Sequence, residues 1–136
     1  MYALPQEIRD ACRSGQFCEP TPGQAPGYAQ ANLCILPKEY AFDFLLFCQR
    51  NPKPCPLLHV LEAGDYKLNN IDIRSDVPKY RIFENGVLVK EVTDIKEFWQ
   101  EDFVTFVIGC SFSFEDALTK AGLRIRHNDQ KRNVPM

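Results

Sequence analysis

The stretch FVTFVIGCSFSFEDALTKAGL, residues 103–123, decides how the chain is built, because within it an apolar run turns into a helix. Residues 103–108 are β-branched and aromatic, too short for a free-standing helix and apolar enough for a strand covered on both faces. FEDALTKAGL then carries helical spacing, with Gly122 where a helix ends. Ser113 is the expected N-cap, with Asp116 three residues on as the other half of a capping box. The unit reads as strand, polar turn, helix. Open α/β sheets bind ligands beyond the carboxyl ends of their strands, and a helix N-terminus offers N–H groups and partial positive charge. GCSFSFE, residues 109–115, is therefore a candidate receptor for an anionic group; the alternative is a tight turn whose small residues only let backbone layers approach.

Outward from this unit, residues 4–14 are predicted as a helix opened by Pro5, with Leu4, Ile8, Ala11 and Cys12 on one face and Gly15 at its close. Residues 16–30 hold three Pro and two Gly without periodicity. Loops that long inside compact domains are usually functional or disordered. Residues 31–36 (ANLCIL) read as a short buried strand, and Pro37 opens a helix to about Gln49 that is apolar nearly all round and so expected to be buried. Asn51-Pro52-Lys53-Pro54 ends it. A strand over 57–61 and a polar, turn-prone loop over 62–70 follow. Strands over 80–83 and 87–92 flank Glu84-Asn85-Gly86, whose Asn-Gly pair accepts the positive φ angles of a type I′ hairpin turn. Asp94 then caps a short helix through Phe98 and Trp99, with Glu97 completing the box. The expected fold is α/β, a mixed sheet flanked by helices, with a smaller β-rich lobe over about 57–99 that contains the hairpin.

With 136 residues, 45% of them apolar, the chain has material for one modest core and hardly two, so one domain or one incomplete domain is expected. A formal charge of -2 argues against a general nucleic-acid or membrane-surface binder, since both need a basic surplus. The charge is unevenly spread: residues 117–136 carry five Lys or Arg against Asp129 alone. Such a basic strip suits an acidic substrate or a partner surface. No stretch approaches the roughly 20 apolar residues of a membrane span, and the N-terminus lacks the basic-then-apolar pattern of a secretory signal. A cytoplasmic protein is expected, or one of the mitochondrial matrix in a eukaryote. Six cysteines without C-x-x-C spacing read as reduced, buried thiols rather than a disulfide framework. His59 and His127 lie too far apart, without neighbouring carboxylate spacing, to imply a zinc site, and no metal is expected.

Beyond GCSFSFE, four stretches carry a resemblance: PGYAQANL (26–33), FCQRNPKPCPLL (47–58), DIRSDVPKYR (72–81) and RNVPM (132–136). In this order they resemble the hydro-lyase family that contains the D-glutamate cyclases. The resemblance implies a lyase that eliminates water, at least some members closing D-glutamate to 5-oxo-D-proline, with no cofactor assigned. Two departures stand out. Thr21-Pro22-Gly23 replaces the family's usual Thr-Ala-Gly, which stiffens the loop but keeps hydroxyl and glycine. Family members also run to roughly twice this length, so the chain resembles their first half. A small amino acid or carboxylic acid is the expected substrate, with a homo-oligomer or pairing with the missing half as expected assemblies. A carboxylate-binding module without turnover and an inactive truncated copy remain alternatives.

Lactam closure requires an acid, a base and clamps for the anionic ends. Arg74 and Arg81, flanking Asp76, are candidate clamps because guanidinium groups bind carboxylates through paired hydrogen bonds; the alternative is a surface on which Asp76 neutralises both. Asp72 and Asp76 are candidate bases on the same segment. Ser111 and Ser113, with the amides that follow them, are candidate donors to carboxylate oxygens, and Glu115 is the candidate general acid. Cys110 is a candidate contact at the helix start, though a thioester formed from a free carboxylate is uphill. Tyr28, Gln30 and Asn32 offer uncharged hydrogen-bonding groups beside Gly27, or else pack. Arg132 and Asn133 enter as clamps on the resemblance alone.

Overall fold

The computed structural model describes residues 1–130. Its centre is the strand β7, Phe103–Gly109, flanked by β1 (Ala31–Pro37) and β2 (Leu57–Val60) in the order β1-β7-β2. Both pairings are antiparallel. Being the middle strand, β7 has neighbours on both edges, and residues 104–107 are buried, as its unbroken apolar run requires. Its alternate side chains face two different partners. Phe106 meets Phe44 of α2 (Lys38–Arg50) edge-on, with ring centroids 4.9 Å apart. Val107 packs on the other face with Leu61 and Ile73, joined by Leu33, Tyr66 and Trp99.

Helix α1 (Pro5–Arg13) starts where the sequence indicates: Pro5 occupies the first turn, and the Glu7 carboxylate accepts the N–H groups of Ala3 and Leu4 at 3.1 and 3.0 Å. Two antiparallel ribbons follow β2. One pairs β3 (Lys67–Leu68) with β4 (Ile71–Asp72) through a turn in which Asn69 has φ 54°. The other is the hairpin β5 (Tyr80–Glu84) and β6 (Val87–Val92), turned by Asn85 and Gly86 at φ 50° and 78°. This is the α/β chain with a β-rich, hairpin-bearing portion that the sequence implies, although the first strand of that stretch, β2, belongs to the central sheet. The helices α3 (Phe112–Lys120) and α4 (Arg126–Asp129) close the described chain.

Four local expectations are corrected. Strand β1 is not buried: Ala31 and Asn32 are exposed and the rest half-buried, because it is an edge of the sheet. Helix α2 is not buried all round: Cys48 is, but Tyr40, Phe42 and Phe47 are each more than half exposed, because only one flank meets the sheet. The loop over 62–70 contains β3, a strand too short for alternation to register. After Asp94 the chain forms a single 3₁₀ turn, Lys96–Phe98, in which the Asp94 carboxylate accepts the Lys96 N–H at 2.7 Å while no reciprocal bond from Glu97 forms. Among the described residues no helix is long and apolar enough to cross a membrane.

Candidate functional site

A cavity of about 140 Å³ lies between the Gly- and Pro-rich loop and α3. One wall is a helical stripe, Phe112, Glu115, Asp116 and Thr119, at the i, i+3, i+4, i+7 spacing that places side chains on a single helix face. The opposite wall is backbone and side chain of residues 23–28 with Gln30, and Asn128 of α4 closes one end. Gly27, at φ 84°, brings the loop close enough that a Cβ there would stand 3.7 Å from an Asp116 carboxylate oxygen.

Gln30 holds the loop in shape. Its side-chain oxygen faces the Thr21 hydroxyl, which donates at 2.6 Å, and its amide nitrogen donates to the Gln24 carbonyl at 3.2 Å. Its backbone is tied to the helix: the Gln30 N–H donates to Ser113 Oγ at 2.8 Å, and Ser113 Oγ donates to the Gln30 carbonyl at 3.1 Å. Ser113 is therefore a strap between loop and helix and not the expected N-cap. Ser111 occupies the cap position without making a side-chain cap bond, and Asp116 pairs with Lys120 at 2.7 Å instead of reaching back. The turn is tight. Ser113 N–H donates to the Cys110 carbonyl and Phe114 N–H to the Ser111 carbonyl, so these two amides are engaged inside the turn and turned from any ligand. The cavity-lining side chains of α3 stand on its flank rather than at its tip.

Within that flank Glu115 has a partner that sequence reasoning passed over. His127 Nε2 lies 3.0 Å from Glu115 Oε1, at an angle that does not make a hydrogen bond, and the two side chains are only 15% and 12% exposed. The His127 ring also leans on Phe112, with centroids 6.0 Å apart. Gly122, at φ 81°, breaks the helix between them and lets α4 fold back, so no fixed spacing announces the pair. Two adjacent carboxylates, Glu115 and Asp116, make this wall acidic and suited to a cationic group, with a histidine behind one of them.

The structure brings Tyr28, Gln30 and Glu115 to the cavity, with Ser113 and Cys110 adjoining through the Gln30 backbone; the Cys110 N–H donates to the Gln30 carbonyl at 3.3 Å. Ser111 is exposed at the start of α3, and Asn32 is exposed on β1 opposite Ile108. Arg132 and Asn133 lie outside the described residues.

Residues 72–81 line no part of this cavity, and their charges are spent on one another. The expected neutralisation of Arg74 and Arg81 by Asp76 does not occur. Arg74 makes a two-point pair with Asp72 (3.0 and 2.8 Å) and lies 3.4 Å over the Tyr66 ring. Arg81 pairs with Glu91 across the hairpin, 65% exposed. Asp76, whose side chain is fully buried, receives a fork from Arg13 at 2.9 and 2.6 Å, the Asp72 N–H at 3.0 Å and the Ser75 hydroxyl at 3.1 Å. Burial alone would raise the Asp76 carboxyl, but Arg13 and these donors outweigh it and hold it below the usual carboxylate range. The Arg74 hydrogen bonds do the same for Asp72 against its partial burial. A carboxylate so satisfied is a poor base. A wider cleft of about 300 Å³ adjoins this segment, lined by Arg13, Lys67, Asp72 and Lys96 among others, but its acid is already bonded to Arg74.

Fold and cavity together define an α/β protein with an acidic pocket enclosed by a glycine- and proline-rich loop and the side of a helix. Residues 104–136, which include all of β7 but Phe103, the whole of α3 and Glu115, match the family model described as D-glutamate cyclase. Proteins carrying provisional hydro-lyase names are similar over nearly the whole chain: one from Oceanobacillus iheyensis is 58% identical over 97% of the chain and 53% of its own length. YcsI of Bacillus subtilis is 54% identical over 97% of the chain and 53% of its own length. A third, from Corynebacterium urealyticum, is 56% identical over 97% and 51%. The chain belongs to this hydro-lyase family, the one with a D-glutamate cyclase region, and spans about half the length of the curated relatives it matches.

Proposed function

We propose that the family-length protein eliminates water from a small amino dicarboxylic acid, closing D-glutamate to 5-oxo-D-proline, and that the α3 flank supplies the proton-transfer end of the site. The observation that carries this reading is Glu115 on the wall of the cavity with His127 3.0 Å behind it, inside the segment that matches the cyclase family. In the reaction the α-nitrogen attacks the γ-carboxyl carbon, and a C–N bond forms as a C–O bond breaks. Two protons pass from nitrogen to the oxygen that departs as water. The ammonium lies against Glu115 and Asp116; Glu115 takes its two protons one after the other and passes each to the leaving oxygen, with His127 balancing the charge. This role includes the acid function expected of Glu115 from sequence and adds the base. Tyr28 and the Gln30-ordered loop hold the substrate, and orientation alone is worth several kcal/mol when amine and carboxyl are fixed within reach.

The clamps for the substrate's carboxylates are assigned to the basic end of the chain and to the part of the family-length protein that this chain does not match. No cofactor enters this scheme. We place the protein in the cytoplasm, a reading supported by six cysteines that are all unpaired in the structure. Because the chain spans half the length of its relatives, a second reading is that alone it holds a small carboxylic acid without turning it over. One proton NMR experiment separates the two. A chimera in which this chain replaces the matched part of the Bacillus subtilis relative converts the α-proton signal of D-glutamate into that of 5-oxoproline, and the chain alone does not. A folded chimera that leaves D-glutamate untouched removes the cyclase reading; a ligand-dependent rise in melting temperature of the chain alone supports the binder.

A further inference from the structure

The face of the central sheet that carries Phe106 opens to solvent along one side. Helix α2 packs over β1 and β7, where Phe44 touches Phe106, a ring that is 1% exposed. Val60 stands opposite Phe106 in register and so on the same face, yet it is 36% exposed. Phe47 stacks on Phe44 with centroids 6.1 Å apart and is 52% exposed. Leu58, also on β2, is 54% exposed, and β2 is an edge of the sheet, so its outer N–H and C=O groups are positioned to pair with another strand. An apolar path therefore runs from the core to the surface and ends there.

We propose that the surface formed by Phe47 of α2 with Leu58 and Val60 of β2 is an interface for a second polypeptide, namely the portion of the family-length protein that this chain does not match. Relatives more than half identical to this chain carry about as much sequence again in the same polypeptide. A surface left exposed among the described residues here is, in such a protein, an internal boundary between its two parts. The occupant is therefore the rest of the family fold and not a second copy of this chain. The inference concerns association alone and stands or falls separately from the reaction.

The test is to produce the 136-residue chain alone and together with the unmatched portion of the Bacillus subtilis relative, and to weigh both samples by sedimentation velocity. The expected result is a one-to-one complex in the mixture, together with relief of any aggregation shown by the chain alone. Phe47→Asp should weaken that complex at least tenfold, and Val60→Lys should do so from the neighbouring strand. Both positions are solvent-accessible, so circular dichroism and melting of the isolated variants should match the parent. Components that sediment separately, a homodimer that persists in the mixture, or folded variants that associate as tightly as the parent would each overturn the proposal.

Discussion

Two acidic segments, Asp72–Asp76 and Glu115–Asp116, contain the same residue type beside basic partners, yet they are put to opposite uses. In the first, each carboxylate is closed off: Asp76 accepts from Arg13, the Asp72 backbone and Ser75, while Asp72 is forked by Arg74. The segment also ties the β-rich portion together, since the Tyr80 hydroxyl donates to the Ile73 carbonyl at 2.7 Å and the Ile95 N–H donates to the Arg74 carbonyl at 2.9 Å. In the second, Glu115 and Asp116 line a cavity, and among the described residues each has a single close basic partner. A carboxylate whose lone pairs are filled by fixed donors stabilises the fold, whereas one facing open space is available to a ligand.

The contrast is tested most severely by Glu115→Gln in the family-length chimera. Removal of a general acid–base group costs about 10²–10⁴-fold in rate, while the neutral isostere keeps the shape of the wall. The expected outcome is a turnover number lower by at least a hundredfold, with a melting temperature within a degree or two of the parent. Retained turnover would return Glu115 to a packing role.

Asp76→Ala should do the reverse, lowering stability by about 2–3 kcal/mol, because the Asp72 N–H and the Ser75 hydroxyl lose their acceptor in a buried place. Arg13, 44% exposed, recovers part of its loss from water, which keeps the figure below that of a fully buried pair. Urea unfolding measures it. A variant as stable as the parent would mean that the closed network is ornamental.

These two regions also differ in how much of them the sequence reveals. The hairpin was legible because Asn85-Gly86 has a conformational requirement that few other pairs satisfy, and β7 because an apolar run of that length has few alternatives. The Arg13–Asp76 pair joins residues 63 apart, and nothing in the local pattern of either end marks it. Arg74 and Arg81 drew attention as the guanidinium groups flanking Asp76 in sequence, but side chains two and five positions away on irregular backbone need not share a face with it. The cavity wall was half legible. Phe112, Glu115, Asp116 and Thr119 keep helical spacing, whereas His127 arrives only through the bend at Gly122. The exposure of α2 was illegible for another reason: a helix apolar on several sides is written for all its neighbours, and the described chain supplies only one.

Low pH should remove what the closed segment contributes to stability. Asp72 and Asp76 have folded-state pKa values below the ordinary 3.8, so the unfolded chain binds their protons first. Their stabilisation is complete above about pH 3.8 and is lost as pH falls below that value through the depressed folded values. Cys12 sets a corresponding alkaline edge: burial, then the nearby Asp76 charge, pushes its thiol up to about 11 from 9.0. The neutral thiol favours the fold, and that contribution is lost as pH rises from about 9 through 11. Melting temperature against pH should therefore fall at both ends in the parent, and Asp76→Asn should blunt the acid limb. An unaltered acid limb in that variant would place the acid sensitivity elsewhere.

The smallest expected effect comes from the one place in the central strand where a polar atom is left without a partner. Thr105 is 0% exposed, on the face of β7 that also carries Val107, and its Oγ1 has no hydrogen-bond partner among the described residues. Unlike Asp76, it is buried with nothing to satisfy it, and unlike Glu115 it faces no cavity. A buried, unpaired hydroxyl costs about 1–3 kcal/mol, and valine replaces it with a methyl group of nearly the same shape. Thr105→Val should therefore stabilise the chain by about 1 kcal/mol in urea unfolding, with turnover of the chimera unchanged. A loss of stability instead would mean that the hydroxyl is bonded in solution, and the contrast between satisfied and unsatisfied polar groups would have to be redrawn at the sheet as well as at the cavity.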